Sequence, residues 1–353
     1  MIRALLSGDR PNSRVLAACL LVVLVGLAAA PFLFPGTRSL DTAARVAVFV
    51  LLAASYDLLL GYTGIVSFAH TMFFGIGGYG IGIAAQDWGS GWGSLAAGSL
   101  LALALSAAIA FAVGLLSLRV RAIFFAMITL AVAAFFQILA SQMSWLTGGE
   151  DGLTFSLPSV LSPATKLLAA PVLGVELNGR VVSYYLVFAG ALVLFLVLLR
   201  IVNSPFGRVL LSIRENEFRA EALGYRTVVY RTVANCLGAV GATCAGLLYA
   251  IWLRYTGPAT TLSFDIMIDI LLMVVIGGMG TMYGAVLGAT VFVLAESYLR
   301  DLLRLASDAA HGVPLLAALL HPDRWLLWLG VLFVVCVYYF PHGIVGRLRA
   351  RRT

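Results

Sequence analysis

Ser67 and His70 lie three residues apart in a glycine-rich stretch, a spacing at which a hydroxyl and an imidazole could form a nucleophile–base pair. No third group orients the imidazole and no oxyanion site accompanies it, so a membrane serine hydrolase has little support. His311, His321 and His342 are scattered, and the chain has no His-Glu-x-x-His zinc site. Lys166 is the only lysine among 23 basic residues, and it follows Ser162-Pro163-Ala164-Thr165. A phosphate-binding P-loop needs its lysine after a glycine-rich turn, so this chain does not hydrolyse ATP by that route. Cys19, Cys236, Cys244 and Cys336 sit in apolar runs at no metal-ligand spacing and read as small hydrophobes. Catalysis, a metal and a cofactor bound by this chain are therefore not expected.

The elements that carry these residues are membrane spans. The chain is 61% hydrophobic and 11% charged, with a mean hydropathy of +1.01, outside the range of soluble domains. Uncharged runs at 15–34, 95–118, 123–146, 181–199 and 232–253 each approach the roughly 20 residues a helix needs to cross a bilayer core. A shorter run at 325–340 precedes a basic tail. Arg3, Arg10 and Arg14 before the first run, with Ala28-Ala29-Ala30 inside it, resemble a secretory signal. The many later spans favour an uncleaved first helix.

Two stretches are too long for one helix and are punctuated by glycine. Residues 58–86 lack Asp, Glu, Lys and Arg, and seven of them are glycine; residues 270–295 are also uncharged and hold Gly277, Gly278, Gly280, Gly284 and Gly288. Each is expected to be a junction of two spans, 42–61 with 67–86 and 260–278 with 281–299. The fold expected is an all-α polytopic bundle of about ten spans, one transmembrane domain over 1–353, with two glycine-rich breaks and a cytoplasmic helix. An even count puts both tails, 1–14 and 346–353, on the cytoplasmic side with 15 of the 23 basic residues, as the positive-inside rule requires. Loop 147–180 then lies outside and loop 201–230 inside. The net charge of +7 is spread over short segments between spans, so it signals topology and not nucleic-acid binding.

Intramembrane charge is a functional hypothesis by default. Arg45, Asp265, Asp269 and Glu296 fall near outer helix ends, where snorkelling to the interface accounts for them. Asp57, directly before the first glycine-rich junction, is the exception. Non-helical backbone at membrane depth is tolerated only inside protein or beside a water-filled cavity. That makes Asp57, Gly61, Tyr62, Gly64, Ser67, His70, Phe74, Gly277, Gly278 and Gly280 candidates for a translocation pathway. Close helix packing is the competing explanation of the glycines, and at the first break the two readings stay open.

The loop at 201–230 carries helix signals of its own. Ser204 can cap and Pro205 suits the first helical position, with Phe206, Gly207 and Arg208 following. Val209, Leu210, Ile213 and Leu223 form an apolar set against Arg208, Arg214, Glu215, Asn216, Glu217, Arg219 and Glu221. Glu215 precedes Arg219 by four residues, a favourable helical pair, and Gly224 after Ala222-Leu223 suits a helix end. A capped and terminated amphipathic helix, or helix pair, facing the cytoplasm is expected.

Several motifs together resemble one family, the membrane permease subunits of branched-chain amino-acid ABC importers (Liv type). Ile213-Arg214-Glu215-Asn216-Glu217 with Glu221-Ala222-Leu223-Gly224 resembles that family's ATPase-coupling loop. Leu58-Leu59-Leu60-Gly61-Tyr62-Thr63-Gly64, with Ser67, His70, Phe73, Phe74 and Gly75, resembles its first glycine motif. Thr147-Gly148-Gly149-Glu150-Asp151-Gly152-Leu153 is similar to an external turn of the M-type subunit. Gly277-Gly278-Met279-Gly280-Thr281 and Phe340-Pro341-His342-Gly343-Ile344-Val345-Gly346 resemble the late and terminal turns. The resemblance implies a second homologous permease subunit as heterodimer partner, two cytoplasmic ATPase subunits that use ATP and Mg, and a periplasmic or extracellular substrate-binding protein. It also implies a prokaryotic inner membrane. Asp57 stands where the family usually has Asn and Ala69 where it usually has Gly, which bears on local polarity. Related importers carry urea, amides or aromatic acids, and a stand-alone secondary transporter or channel is the reading from another class.

Overall fold

The structure, a computed structural model, describes residues 13–33, 36–116, 122–165, 177–309, 320–339 and 343–350. Arg3, Arg10, Arg119, Arg121, Lys166, Glu176, His311, His342 and the tail beyond Ala350 lie outside the described residues. The chain is a helical bundle: α1 (Arg14–Leu33), α2 (Thr37–Thr63), α3 (His70–Asp87), α4 (Trp92–Leu116), α5 (Ala122–Gln142), α6 (Gly179–Val202), α7 (Pro205–Glu215), α8 (Glu217–Ala222), α9 (Thr227–Leu253), α10 (Phe264–Gly277), α11 (Met282–Ala309), α12 (Trp325–Tyr339) and α13 (Gly343–Ala350). Among the described residues, eight helices are long and apolar enough to cross a membrane. The other two of the ten expected spans also form as helices. α12 has only 15 residues, and α3 is 18 residues in which glycines replace large apolar side chains.

Both glycine-rich breaks are present. α2 ends at Gly64 in the left-handed region (φ +72°), and α3 begins only at His70. α10 ends at Gly278, and Gly278 and Gly280 both have positive φ before α11 starts. Several helices overrun their expected ends: α2 starts at Thr37 instead of 42, α9 at Thr227 instead of 232, and α11 runs to Ala309 instead of 299. The charged residues that marked those ends are paired, so they need not leave the helix. Arg38 bonds Asp301 at 2.7 Å across the start of α2 and the last turns of α11.

α2 is the axle of the bundle. Ala44 to Leu59 are all buried except Arg45, and the helix packs on α1, α6, α7, α9, α10 and α11. α9 crosses α2, α3 and α4, and small residues permit the approach. A Cβ on Gly246 would strike the Phe74 carbonyl, and one on Gly77 the Thr243 carbonyl. Two polar bridges tie α9 to α4: Thr243 Oγ1 donates to Ser106 Oγ at 2.6 Å, and Asn235 Nδ2 to the Ala110 carbonyl at 2.7 Å. The outward faces of α1, α4 and α5 are apolar, with Val22, Leu100, Ile123 and Phe135 exposed, as a bilayer-facing shell requires.

In the loop expected outside, Thr147–Asp151 turns back sharply, and β1 (Leu153–Thr154) pairs antiparallel with β2 (Tyr255–Thr256) after α9. This two-residue pairing ties the ends of α5 and α9 together.

Close packing at the α3–α9 crossing yields a testable contrast. G246V should destabilise the chain by about 1–3 kcal/mol through overpacking, seen as a lower unfolding temperature in detergent. G26V, where nothing lies within 4 Å, should leave that temperature unchanged. Equal stability of the two variants would contradict the packing.

Candidate functional site: a charged knot at the two breaks

Asp57 lies one turn and a half before the end of α2, with no exposed surface. An ionised carboxylate in such a place needs compensating partners. The second break supplies them: the Gly280 amide donates to Asp57 Oδ1 at 2.9 Å, and the Thr281 amide lies close by. Those amides lead directly into α11, which begins at Met282. Asp57 thus sets an acceptor oxygen at a helix N-terminus, where free N–H groups need one, while its Oδ2 is buried without a hydrogen-bond partner.

A charge arrives from the loop between α6 and α9. Arg214, in the last turn of α7, donates through Nη1 to the carbonyl of Gly61, one of the last four carbonyls of α2 with no intrahelical partner. Its guanidinium also attracts the Asp57 carboxylate. The cation is therefore at a helix C-terminus and the carboxyl group at a helix N-terminus. Glycine is required for this closeness. A Cβ on Gly61 would collide with Asp57 and with the Gly280 amide; one on Gly280 would sit 2.7 Å from Arg214 Nη1. Behind them α13 closes the group, since a Cβ on Gly343 would strike Gly278. Gly277 in turn packs against the Gly284 carbonyl.

The knot gathers Asp57, Gly61, Gly64, Gly280 and Arg214 from three regions of sequence. Other proposed pathway residues lie further along α2 and α3 and are buried: Tyr62, Ser67, His70 and Phe74. Ser67 Oγ accepts from the Ala69 amide at 3.4 Å. His70 Nε2 is 2.8 Å from Ser55 Oγ and its ring lies 5.2 Å from Tyr56. The hydroxyl beside His70 is thus Ser55, one helix away, and not Ser67. Phe74 packs in an aromatic group with Phe49 and Tyr249.

The loop between α6 and α9 spans 203–226, shorter than the expected 201–230, because both helices extend into it. It is a helix pair. Pro205 opens α7, but Ser204 does not cap it; its hydroxyl donates to the Ile201 carbonyl at 2.6 Å, satisfying the end of α6 instead. Phe206 stacks on Tyr230 at 5.6 Å, and Gly207 sits against the Val202 carbonyl. Val209, Leu210 and Ile213 face inward, but Leu223, expected with them, is 71% exposed. The expected Glu215–Arg219 pair is absent because Asn216 breaks the helix between them. Its side chain caps α8 by accepting from the Arg219 amide at 2.9 Å. Glu217 instead bonds Arg231 at 2.5 Å, and Glu221 accepts from Thr227 Oγ1 at 2.8 Å, tying α8 to α9. Arg208, Glu215 and Ala222 are exposed, and Gly224 takes φ +89° just past the helix.

At the opposite end of α2 the reading of isolated snorkelling charges is corrected. Arg45 Nη2 bonds Glu296 Oε2 at 2.7 Å, joining α2 to α11. Residues 251 apart in sequence offered no local sign of this pair.

The knot makes a prediction. D57A removes the acceptor for Gly280 and should cost about 1–3 kcal/mol, whereas D57N keeps an oxygen in place and should cost under about 1.5 kcal/mol. Thermal unfolding in detergent compares them; equal losses would argue against the hydrogen bond as the stabilising contact.

The family model described as "Branched-chain amino acid transport system / permease component" matches residues 39–336. The high-affinity branched-chain amino acid transport system permease protein LivM of Salmonella typhimurium is 26% identical over 98% of this chain and 77% of its own length. LivM of Escherichia coli is 26% identical over 96% and 77%. A probable branched-chain amino acid transport permease protein LivM of Methanocaldococcus jannaschii is 28% identical over 70% and 68%. No solved structure matches the chain. A family match across most of the chain, on a bundle of membrane-length helices, establishes a multi-pass membrane protein that belongs to the branched-chain amino acid transport permease family.

Proposed function

We propose that this chain is the translocation subunit of an ABC importer for branched-chain amino acids, and that α7 and α8 receive the force of ATP hydrolysis. The observation that carries the coupling role is the contact of Arg214 with the α2 terminus, beside the break held by Asp57. A helix pair with an apolar inner face and a mechanical link to both breaks can transmit displacement from one end of the bundle. Its outer side presents Phe218, 85% exposed, and Leu223, 71% exposed. Apolar anchors of this kind suit a groove on a partner.

In this reading α7 and α8 are cytoplasmic and dock on an ATPase subunit. Two such subunits bind ATP and Mg, a second homologous permease completes the membrane unit, and a soluble protein outside delivers the substrate. Both tails of this chain then face the cytoplasm. ATPase closure pushes α7, Arg214 passes the movement to the end of α2, and the glycine breaks supply backbone freedom for α10 and α11 to follow. The transport of branched-chain amino acids rests on the names of the relatives, and the soluble subunit sets most of the selectivity.

The test uses the assembled complex in proteoliposomes. F218S with L223S should leave the chain inserted but lower ATP-coupled L-leucine uptake at least about tenfold, since a single aromatic anchor contributes roughly 2 kcal/mol. Full uptake by this variant would contradict the docking role. Uptake by this chain without any ATPase would contradict the ABC reading as a whole.

A further inference from the structure

At the end of the bundle opposite the coupling helices, α2 and α11 frame a cavity of about 250 Å³ lined by charged and hydroxyl side chains, among them Arg38, Asp41, Arg45 and Glu296. That volume lies below the roughly 300–1,000 Å³ of sites for drug-sized ligands, and suits a smaller solute. The central contact is the Arg45–Glu296 pair at 2.7 Å, with both side chains about one quarter exposed. Arg45 Nε is buried without a hydrogen-bond partner. The other lining charges have partners of their own: Arg38 bonds Asp301 and the Ser297 carbonyl, Trp252 Nε1 donates to Asp41 Oδ1 at 2.7 Å, and the Arg300 guanidinium lies 4.4 Å from the Trp325 ring centre.

Next to the ion pair, beyond the cavity's own lining, lies a buried aromatic group. The Arg45 guanidinium lies 5.9 Å from the Phe49 ring centre, and Phe49, Phe74 and Tyr249 form a closed aromatic group with centroid distances of 5.4–6.3 Å. Asp41, Arg45 and Phe49 are spaced four apart on α2, so the two charged residues and the ring share one face of the helix.

We propose that the Arg45–Glu296 pair is a receiving site for an α-amino-acid zwitterion, whose carboxylate replaces Glu296 at Arg45 while its ammonium replaces Arg45 at Glu296. This rests on the transport reading above. The exchange is neutral: two charges leave each other and each meets its opposite on the solute. A simple anion would satisfy Arg45 and leave Glu296 unpaired; a simple cation would do the reverse. Removing one member of a partly buried pair is strongly unfavourable, so such solutes do not open the contact. The permease itself thereby selects for zwitterions, separating α-amino acids from carboxylic acids and amines.

The experiment uses the full complex with its ATPase and binding subunits in proteoliposomes and L-leucine as the probe. R45Q/E296Q removes both charges together, leaving no unpaired group, a change that structural ion pairs often tolerate. The proposal predicts that L-leucine carried per ATP hydrolysed falls at least tenfold; an unchanged ratio overturns it. Should that variant not assemble, E296D decides. It keeps both charges but draws the carboxylate back, and the ratio should fall several-fold, whereas the unsubstituted ratio overturns the proposal. A wild-type complex that carries no L-leucine overturns the transport reading beneath it, a result distinct from either variant's.

Discussion

The arrangement depends on one buried carboxylate. Asp57 carries a carboxyl group into the interior of the bundle, where polar groups are expensive unless hydrogen-bonded. Its compensation comes from two sources: the amides ahead of α11 and the guanidinium of Arg214. Each source also gains. The α11 N-terminus finds an acceptor, and the α2 C-terminus finds a cation through Gly61. Loss of any member leaves another with unsatisfied charge or backbone polarity, so α2, α10–α11 and α7 meet as a unit. Gly61 and Gly280 are what let the three backbones come so close.

This unit gives the two helix breaks a purpose. Interrupted backbone in a membrane bundle requires protein partners for its free N–H and C=O groups. Here part of that satisfaction comes from the coupling helix itself. A shift of α7 therefore acts on the end of α2 directly. α2 then runs, almost wholly buried, to the Arg45–Glu296 contact at its other end. One helix joins the end that carries α7 to a charged cavity, and under the proposed coupling role that geometry suits alternating access.

Hydropathy and glycine spacing made the helices and both breaks legible in the sequence. The positions of Gly64, Gly278 and Gly224 followed from chain chemistry, since each takes a positive φ. The helix ends were placed less well. α2 begins five residues before its expected start and α11 runs ten past its expected end, and Arg38 and Asp301 pair within those extensions. In the coupling loop the local rules competed. Ser204 turned back to α6, and Asn216 took the capping role, splitting the helix that a Glu215–Arg219 pair would have needed. Asp57 stood out because it directly precedes a glycine-rich break. Its partners could not be seen, because Gly280 is 223 residues away and Arg214 lies on another element. Arg45 and Glu296 were hidden for the same reason. Long-range charge pairing leaves no periodic trace in sequence.

The most direct measurement addresses Arg214. In the assembled complex, R214Q should keep the chain inserted and the ATPase subunits attached, with ATP hydrolysis and L-leucine uptake recorded side by side. If Arg214 carries movement from α7 to the breaks, hydrolysis continues while uptake falls tenfold or more. An R214Q complex that carries L-leucine as fast as the unsubstituted one would contradict the knot as the transmission point.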